Sequence, residues 1–375
     1  MASLNDEKLL HDIRPKVLTQ PLHNSIPPEL LSRFDPVYVE HHNKYAAGRL
    51  HTHEVPIEEF RRNPAKYIIS YGRASGPDIH RISEQKCPVQ GGEIKVRIFE
   101  SEAVIDEYGK AQKRAAYINF HGGGWVFGDL SQDHDFCKTV VDGLEGQLVA
   151  FDIDYRLAPE HKYPTPVDDC WTAFNWVRSF FLLLQVRSKA EEFNIDPDRM
   201  AVGGMSAGGH LAAVMAHLCR DAGIPLRLQV LNVPVCDLHS PFKPDGTFDR
   251  DNCPYESYTE MESTVPLPVA RMSYFHRHFL GVPRPATSED WKISPMLAHD
   301  FAGLAPALVV TAEMDPLRDE GEVYAAKLKA AGCSVELMQM KGAPHTFALL
   351  DGILKSGRVY NEKVIEGLKA VVAMK

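Results

Sequence analysis

From Glu93 onward the chain alternates short apolar runs with turn residues, whereas before it the pattern is scattered. The segment 93–104, EIKVRIFESEAV, alternates apolar and polar positions, as a strand with one covered face does. Apolar runs follow at 115–120, 147–152 and 200–203, each trailed by turn residues and a helix-compatible stretch. Runs at 226–233 and 307–311 repeat the cycle, and 334–340 supplies a last strand. Continuous apolar strands alternating with helices predict a mostly parallel sheet covered by helices on both faces.

Two stretches break this rhythm. Residues 1–90 carry scattered Pro and His, polar helical stretches at 28–34 and 57–67, and little strand pattern. Residues 237–291 are rich in Pro, Asp and aromatics, with no convincing strand. An insertion of that length between sheet elements reads as a lid or cap. The predicted organisation is a cap segment over 1–90, core over 91–236, a cap insertion over 237–291, and core over 292–375. The aromatics Phe34, Tyr38, Tyr255, Tyr258, Tyr274, Phe275 and Phe279 lie in the two cap stretches. They either pack the cap onto the sheet or line an apolar pocket.

At 375 residues and 44% hydrophobic composition the chain can bury a large core, which excludes a disordered protein. The net charge of -9, with no Lys or Arg block, argues against nucleic acid and anionic membrane surfaces. Seven cysteines are scattered without a C-x-x-C pair, so buried thiols are expected rather than a redox or zinc motif. Residues 1–15 mix acids and bases and lack a secretory apolar core. The longest apolar run, 180–184, is too short to span a bilayer. The expectation is a soluble, reduced, cytoplasmic protein.

Chemistry enters at Gly204-Met205-Ser206-Ala207-Gly208, a G-x-S-x-G between the strand-like MAVG and the helix-like HLAAVMAHL. Small residues let the backbone make a tight strand-to-helix turn that holds the serine hydroxyl out at the strand end. The helix N-terminus behind it favours developing negative charge. His121-Gly122-Gly123-Gly124-Trp125 follows an earlier strand. Consecutive glycines leave N–H groups bare, so Gly123, Gly124 and Ala207 are candidate donors to an oxyanion. His121 reads as a structural brace of that loop.

A base should follow the last strand, where His345 in KGAPHTF is the candidate among 17 histidines. An orienting acid should end the strand before, which favours Asp315, with Glu313 and Asp319 as weaker rivals. The order Ser206, Asp315, His345 is the one this strand-turn-helix chemistry uses. Paired histidines at 51/53 and 276/278 lack the third ligand that catalytic zinc requires, so no metal and no cofactor are expected.

Together these residues resemble the hormone-sensitive-lipase-like family of α/β-hydrolases. Asp154-Tyr-Arg-Leu-Ala-Pro-Glu-His161, Tyr163-Pro164, Asp168-Asp169 and Asp315-Pro-Leu-Arg-Asp-Glu320 are similar to that family's signatures over about residues 90–370. The elbow departs from the family's usual G-D-S-A-G-G or G-T-S-A-G-G at Met205. The resemblance implies an α/β-hydrolase fold with a helical cap built from the N-terminal segment and the insertion before the acid strand. It also implies Arg156 pairing with an acid such as Asp169, and it allows a homodimer.

The expected activity is hydrolysis of a small or medium-sized carboxylic ester through an acyl-enzyme. An amidase or formamidase, a thioesterase or lactonase, and a non-catalytic small-molecule receptor remain the alternatives.

Overall fold

The computed structural model of the chain describes residues 23–67, 72–178, 189–285 and 290–374. The apolar run at 180–184 and the N-terminal 1–15 lie outside them. The first half runs α1 (Pro36–Tyr45), α2 (Ile57–Arg62), β1 (Arg81–Val89), β2 (Gly92–Glu100), β3 (Arg114–Phe120), α3 (His134–Gly143), β4 (Leu148–Asp154) and α4 (Thr165–Arg178). Then come α5 (Lys189–Glu192), β5 (Ile195–Met205), α6 (Ala207–Asp221), β6 (Leu228–Asn232), α7 (Glu256–Glu260) and α8 (Val269–Leu280). The chain closes with β7 (Ala307–Met314), α9 (Arg318–Ala330), β8 (Val335–Pro344) and α10 (Lys355–Val372).

One sheet carries all eight strands in the order β1-β2-β4-β3-β5-β6-β7-β8. β2 pairs antiparallel with β1 and β4, and every later pairing is parallel. The predicted runs from 115–120 to 307–311 are the central parallel strands, apolar along their length because both faces are covered. The run 334–340 is the half-exposed edge strand β8. Ile118, Phe120, Phe151 and Val202 face one core, and Tyr117, Ala150, Ala201 and Val230 the other. α6 runs against the first face and is buried nearly all round, which its Ala- and Gly-rich sequence permits.

The strand order reverses at β3 and β5, since β4 lies outside β3 and β5 returns to its other side. Loops leaving the carboxyl ends of two such strands diverge and open a crevice. The HGGGW loop leaves β3 and the elbow leaves β5, so the two motifs meet there.

Three local expectations differ from the structure. Residues before 90 include β1, which pairs with β2 from Arg81↔Glu100 to Val89↔Gly92. It is a sheet-edge strand with only Cys87 buried, so it shows no apolar alternation. Residues 28–34 form turns rather than a helix, and the helix is α1, capped by Asp35 accepting from Val37 N at 2.8 Å. The helix predicted over 57–67 ends at Arg62, because Pro64 follows Asn63 and turns the chain into a 3-10 segment.

The early segment and the insertion both cover the carboxyl ends of the strands. Asp35 N donates to Gly342 O at 2.8 Å, next to the loop of His345. Ser257 N on the insertion donates to Asp319 Oδ2 at 2.7 Å. Phe60 packs on Phe127 with ring centres 4.1 Å apart, and Phe279 stacks on Trp125 at 4.3 Å. Among the described residues no helix is long and apolar enough to cross a membrane.

Candidate active site

Ser206 ends β5 with φ 59° and ψ -116°, a conformation an L-residue rarely adopts. Its N–H donates to Asn232 O at 2.9 Å, and its carbonyl accepts from His210 N at 3.0 Å. The strain is therefore held from β6 on one side and from the first turn of α6 on the other. The flanking glycines are required by close approach: a Cβ on Gly208 would strike the Phe120 carbonyl, and one on Gly204 the same oxygen. α6 can thus begin directly against the end of β3.

The loop after β3 turns through Gly123 at φ 114°, Gly124 at φ 63° and Trp125 at φ 60°. Among the described residues neither the Gly123 nor the Gly124 N–H donates to a protein acceptor. Ala207, the first residue of α6, has no intrahelical acceptor for its N–H either. Three donors are therefore open around the elbow. His121 is buried, its Nδ1 2.8 Å from Gly122 O and its ring stacked on Tyr155 at 4.3 Å. Tyr155 Oη also donates to His121 O at 2.8 Å, which makes His121 a brace of the loop. Met205 sits under it, with its Cε 3.2 Å from where a Gly122 Cβ would stand. A cavity of about 30 Å³ borders Gly204, Met205, Gln132, Asp133 and Asn232, but not Ser206.

His345 follows β8 directly, and its Nδ1 is 2.7 Å from Asp315 Oδ2, with both side chains buried. The other carboxylate oxygen accepts from Leu317 N at 3.1 Å, which fixes its plane. A carboxylate only accepts, so Nδ1 carries the proton and Nε2 is left as an acceptor. The rival acids are engaged elsewhere. Glu313 Oε2 accepts from Gly342 N at 2.9 Å, and Asp319 binds Ser257 N and, at 2.8 Å, Arg318 Nε. Among the described residues no hydrogen bond joins Ser206 Oγ to His345.

Arg156 grips Asp169 through two bonds, Nε to Oδ2 at 2.8 Å and Nη2 to Oδ1 at 2.6 Å, and its backbone N–H adds a third at 3.1 Å. This planar fork pins the DYRLAPEH turn. One residue escaped the sequence reading. His210, one turn after Ser206, accepts from Trp125 Nε1 at 3.3 Å and lies 3.0 Å from Lys292 O. Since Trp only donates, Nε2 of His210 carries the proton. Burial pulls its pKa down to about 4, so it stays a neutral clip between loop, helix and insertion. Phe275 of α8, one of the cap aromatics, places its ring in the space a Gly124 Cβ would need. Among the described residues no group of three or more His, Cys, Asp or Glu could hold a metal ion.

Residues 117–349 match the family described as alpha/beta hydrolase fold. The chain belongs to the hormone-sensitive-lipase-like branch of the α/β-hydrolases. It is 32% identical to the AB hydrolase superfamily protein C1039.03 of Schizosaccharomyces pombe, over 94% of this chain and 97% of that one. It is 36% identical to the carboxylesterase NlhH of Mycobacterium tuberculosis, over 68% of this chain and 72% of that one. The crystal structure of EstE1, a thermostable carboxylesterase from a metagenomic library, superposes with a TM-score of 0.71 at 32% identity. That match covers 86% of this chain and 99% of EstE1.

Proposed function

We propose that the chain is a serine hydrolase that cleaves carboxylic esters of small or medium-sized molecules through an acyl-enzyme. The observation that carries this reading is the buried Asp315–His345 pair, 2.7 Å apart, together with a strained serine at the switch point of the sheet. Ser206 Oγ attacks the ester carbonyl as His345 Nε2 takes its proton. Negative charge gathers on the carbonyl oxygen, where the Gly123, Gly124 and Ala207 N–H groups receive it. His345 then gives the proton to the departing alkoxide, and water repeats the cycle on the acyl-enzyme to release the acid. Asp315 holds the imidazole tautomer and offsets the charge of the imidazolium.

Carboxylesterases and esterases among the relatives support an ester as the bond cleaved. In this reading residues 23–67 and the insertion 237–291 act as a cap, while β1 joins the core sheet with the strands of 91–236 and 292–374. The seven cysteines are free thiols, five of them buried, which supports a reducing, cytoplasmic setting. A fluorophosphonate probe should label Ser206, and Ser206→Ala should abolish both labelling and hydrolysis of short aryl esters. The expected fall is of order 10⁶ when the three residues act as a unit. Activity of Ser206→Ala within tenfold of the unaltered protein would remove Ser206 as nucleophile.

A further inference from the structure

One face of α8 carries Arg271, Tyr274 and Phe275 at positions i, i+3 and i+4. Phe275 lies against Gly124, so this face borders the oxyanion loop. Its other neighbour is the turn Thr52–Glu54, which brings His51 and His53 within 5.0 Å of each other, ring to ring. The Arg271 guanidinium lies 5.4 Å from the centre of the Phe275 ring.

Among the described residues Arg271 meets no carboxylate. Among the described residues its only hydrogen bond runs from Nη1 to Pro266 O at 2.9 Å, and it forms no salt bridge. Its Nε is buried without a partner, and Nη2 bonds no protein acceptor among the described residues. The contrast within the molecule is clear. Arg114 meets Glu100, Arg156 meets Asp169 and Arg318 meets Asp319. Arg284, which also lacks an acid, gives hydrogen bonds to three carbonyls instead. Burial pulls the pKa of Arg271 down to about 10, well above neutrality, so the group remains charged. Two more polar atoms nearby, His53 Nδ1 and Tyr274 Oη, are likewise buried and unpartnered. A half-buried cation whose Nε is buried without a partner, beside two unmatched polar atoms, is costly, and such groups call for a partner.

The open Nε–Nη2 edge is a two-donor fork whose spacing matches the two oxygens of a carboxylate. We propose that Arg271, flanked by His53 and Tyr274, is a subsite for a carboxylate carried by the ester substrate. This rests on the ester-hydrolase reading and adds the substrate class to it: esters bearing an anionic group, such as the monoester of a dicarboxylic acid. Among the described residues no hydrogen bond joins the guanidinium to Ser206, and its ring neighbour is Phe275, so in this proposal it binds and orients substrate rather than touching the reacting bond.

The test compares matched aryl esters: the nitrophenyl monoester of succinate against nitrophenyl butanoate, and 4-acetoxybenzoate against phenyl acetate. These place the carboxylate on the acyl or the alcohol side. Arg271→Met should lower kcat/KM on the carboxylate ester of one pair by about ten- to hundredfold, as expected for a charge-assisted hydrogen bond, mainly through KM. Both neutral esters should change by less than about twofold, and Arg271→Lys should keep part of the preference. An equal loss on charged and neutral esters, or no loss on either carboxylate ester, would overturn the subsite. The phosphonate labelling rate of Ser206 reports whether each variant is folded. Should the methionine variant not fold, inhibition of butanoate hydrolysis by free succinate, absent with 1,4-butanediol, supports the subsite, and equal or no inhibition sinks it. Absent labelling and absent neutral-ester hydrolysis in the unaltered protein would instead overturn the ester reading.

Discussion

Around the orienting acid, at the carboxyl edge of the sheet, the charged groups are matched, whereas beneath α8 they are not. Asp315 uses both oxygens, Glu313 and Asp319 each hold a backbone N–H, and Arg156 is clamped by Asp169. Under α8, Arg271 Nε, His53 Nδ1 and Tyr274 Oη meet no acceptor or donor among the described residues. The first region is preorganised by the backbone, because its chemistry must not wait for rearrangement. The second carries its polarity unspent, which suits a surface completed by what binds there. In the proposed reading, machinery and recognition are built on different elements, the strands for one and α8 for the other.

The strongest way to break this contrast is at the acid. Asp315→Asn should lower turnover by about 10⁴, because the amide would favour the wrong tautomer of His345. Asp319→Asn should change turnover by less than tenfold, since Asp319 serves Ser257 and Arg318 rather than the histidine. Steady-state rates on one short ester decide between them. The reverse order would move the orienting acid one helical turn and undo the matched-edge account.

How much of this was legible follows the same division. Parallel strands buried on both faces announce themselves as apolar runs, and glycines forced into left-handed turns at 123 and 124 leave a motif. Ser206, Asp315 and His345 stand at the ends of such strands, so periodicity and spacing located them. β1 was missed because an exposed edge strand such as RISEQKCPV has no buried alternation to show. α1 had its signal in Asp35-Pro36, a side-chain cap followed by a residue preset for a first turn. The meeting of Phe275 with Gly124 had none, because it joins segments distant in sequence and depends on where the insertion lands. His210 was half visible: its place one turn after Ser206 is in the sequence, its clip to Trp125 is not.

The contact between the two regions gives the next prediction. Gly124→Ala needs a left-handed alanine and displaces the Phe275 ring, so it should disturb one oxyanion donor. Loss of one such donor costs about 10²–10³ in kcat. Adding Phe275→Ala should recover part of that loss by making room, leaving the backbone strain. A double variant no better than Gly124→Ala would show that the ring does not bear on the loop.

Within α8 the two phenylalanines should then separate. Phe279 is fully buried and stacks on Trp125, so Phe279→Ala should destabilise the fold by about 3–5 kcal/mol in urea unfolding. Phe275→Ala should cost less stability and instead move the chain-length limit for acyl groups upward, each methylene being worth about 1–3 kcal/mol. Equal stability losses with an unmoved chain-length profile would return both residues to packing.

The smallest effect tests the matched edge from below. Asp133 and Asp152 are buried under the elbow, and both accept from the same Asn119 amide, at 3.0 and 2.9 Å. Asp152 Oδ2 has no partner among the described residues. Burial and then the neighbouring Asp133 push the Asp152 pKa well above 3.8. The unfolded chain would release this proton near pH 3.9. A carboxyl raised in the folded state contributes stability below that value and loses it as pH rises through the folded one. Asparagine keeps an oxygen for Asn119 and cannot ionise. Asp152→Asn should therefore stabilise the fold at pH 7.5, where folding the native chain means either taking up a proton or burying a charge. At pH 4.5 the gain should shrink, since there the native side chain is neutral as well. Urea midpoints at the two pH values measure the difference. A gain equal at both, or larger in acid, would mean that Asp152 is ionised and satisfied in the folded protein, and that the matching at this edge extends beneath the nucleophile.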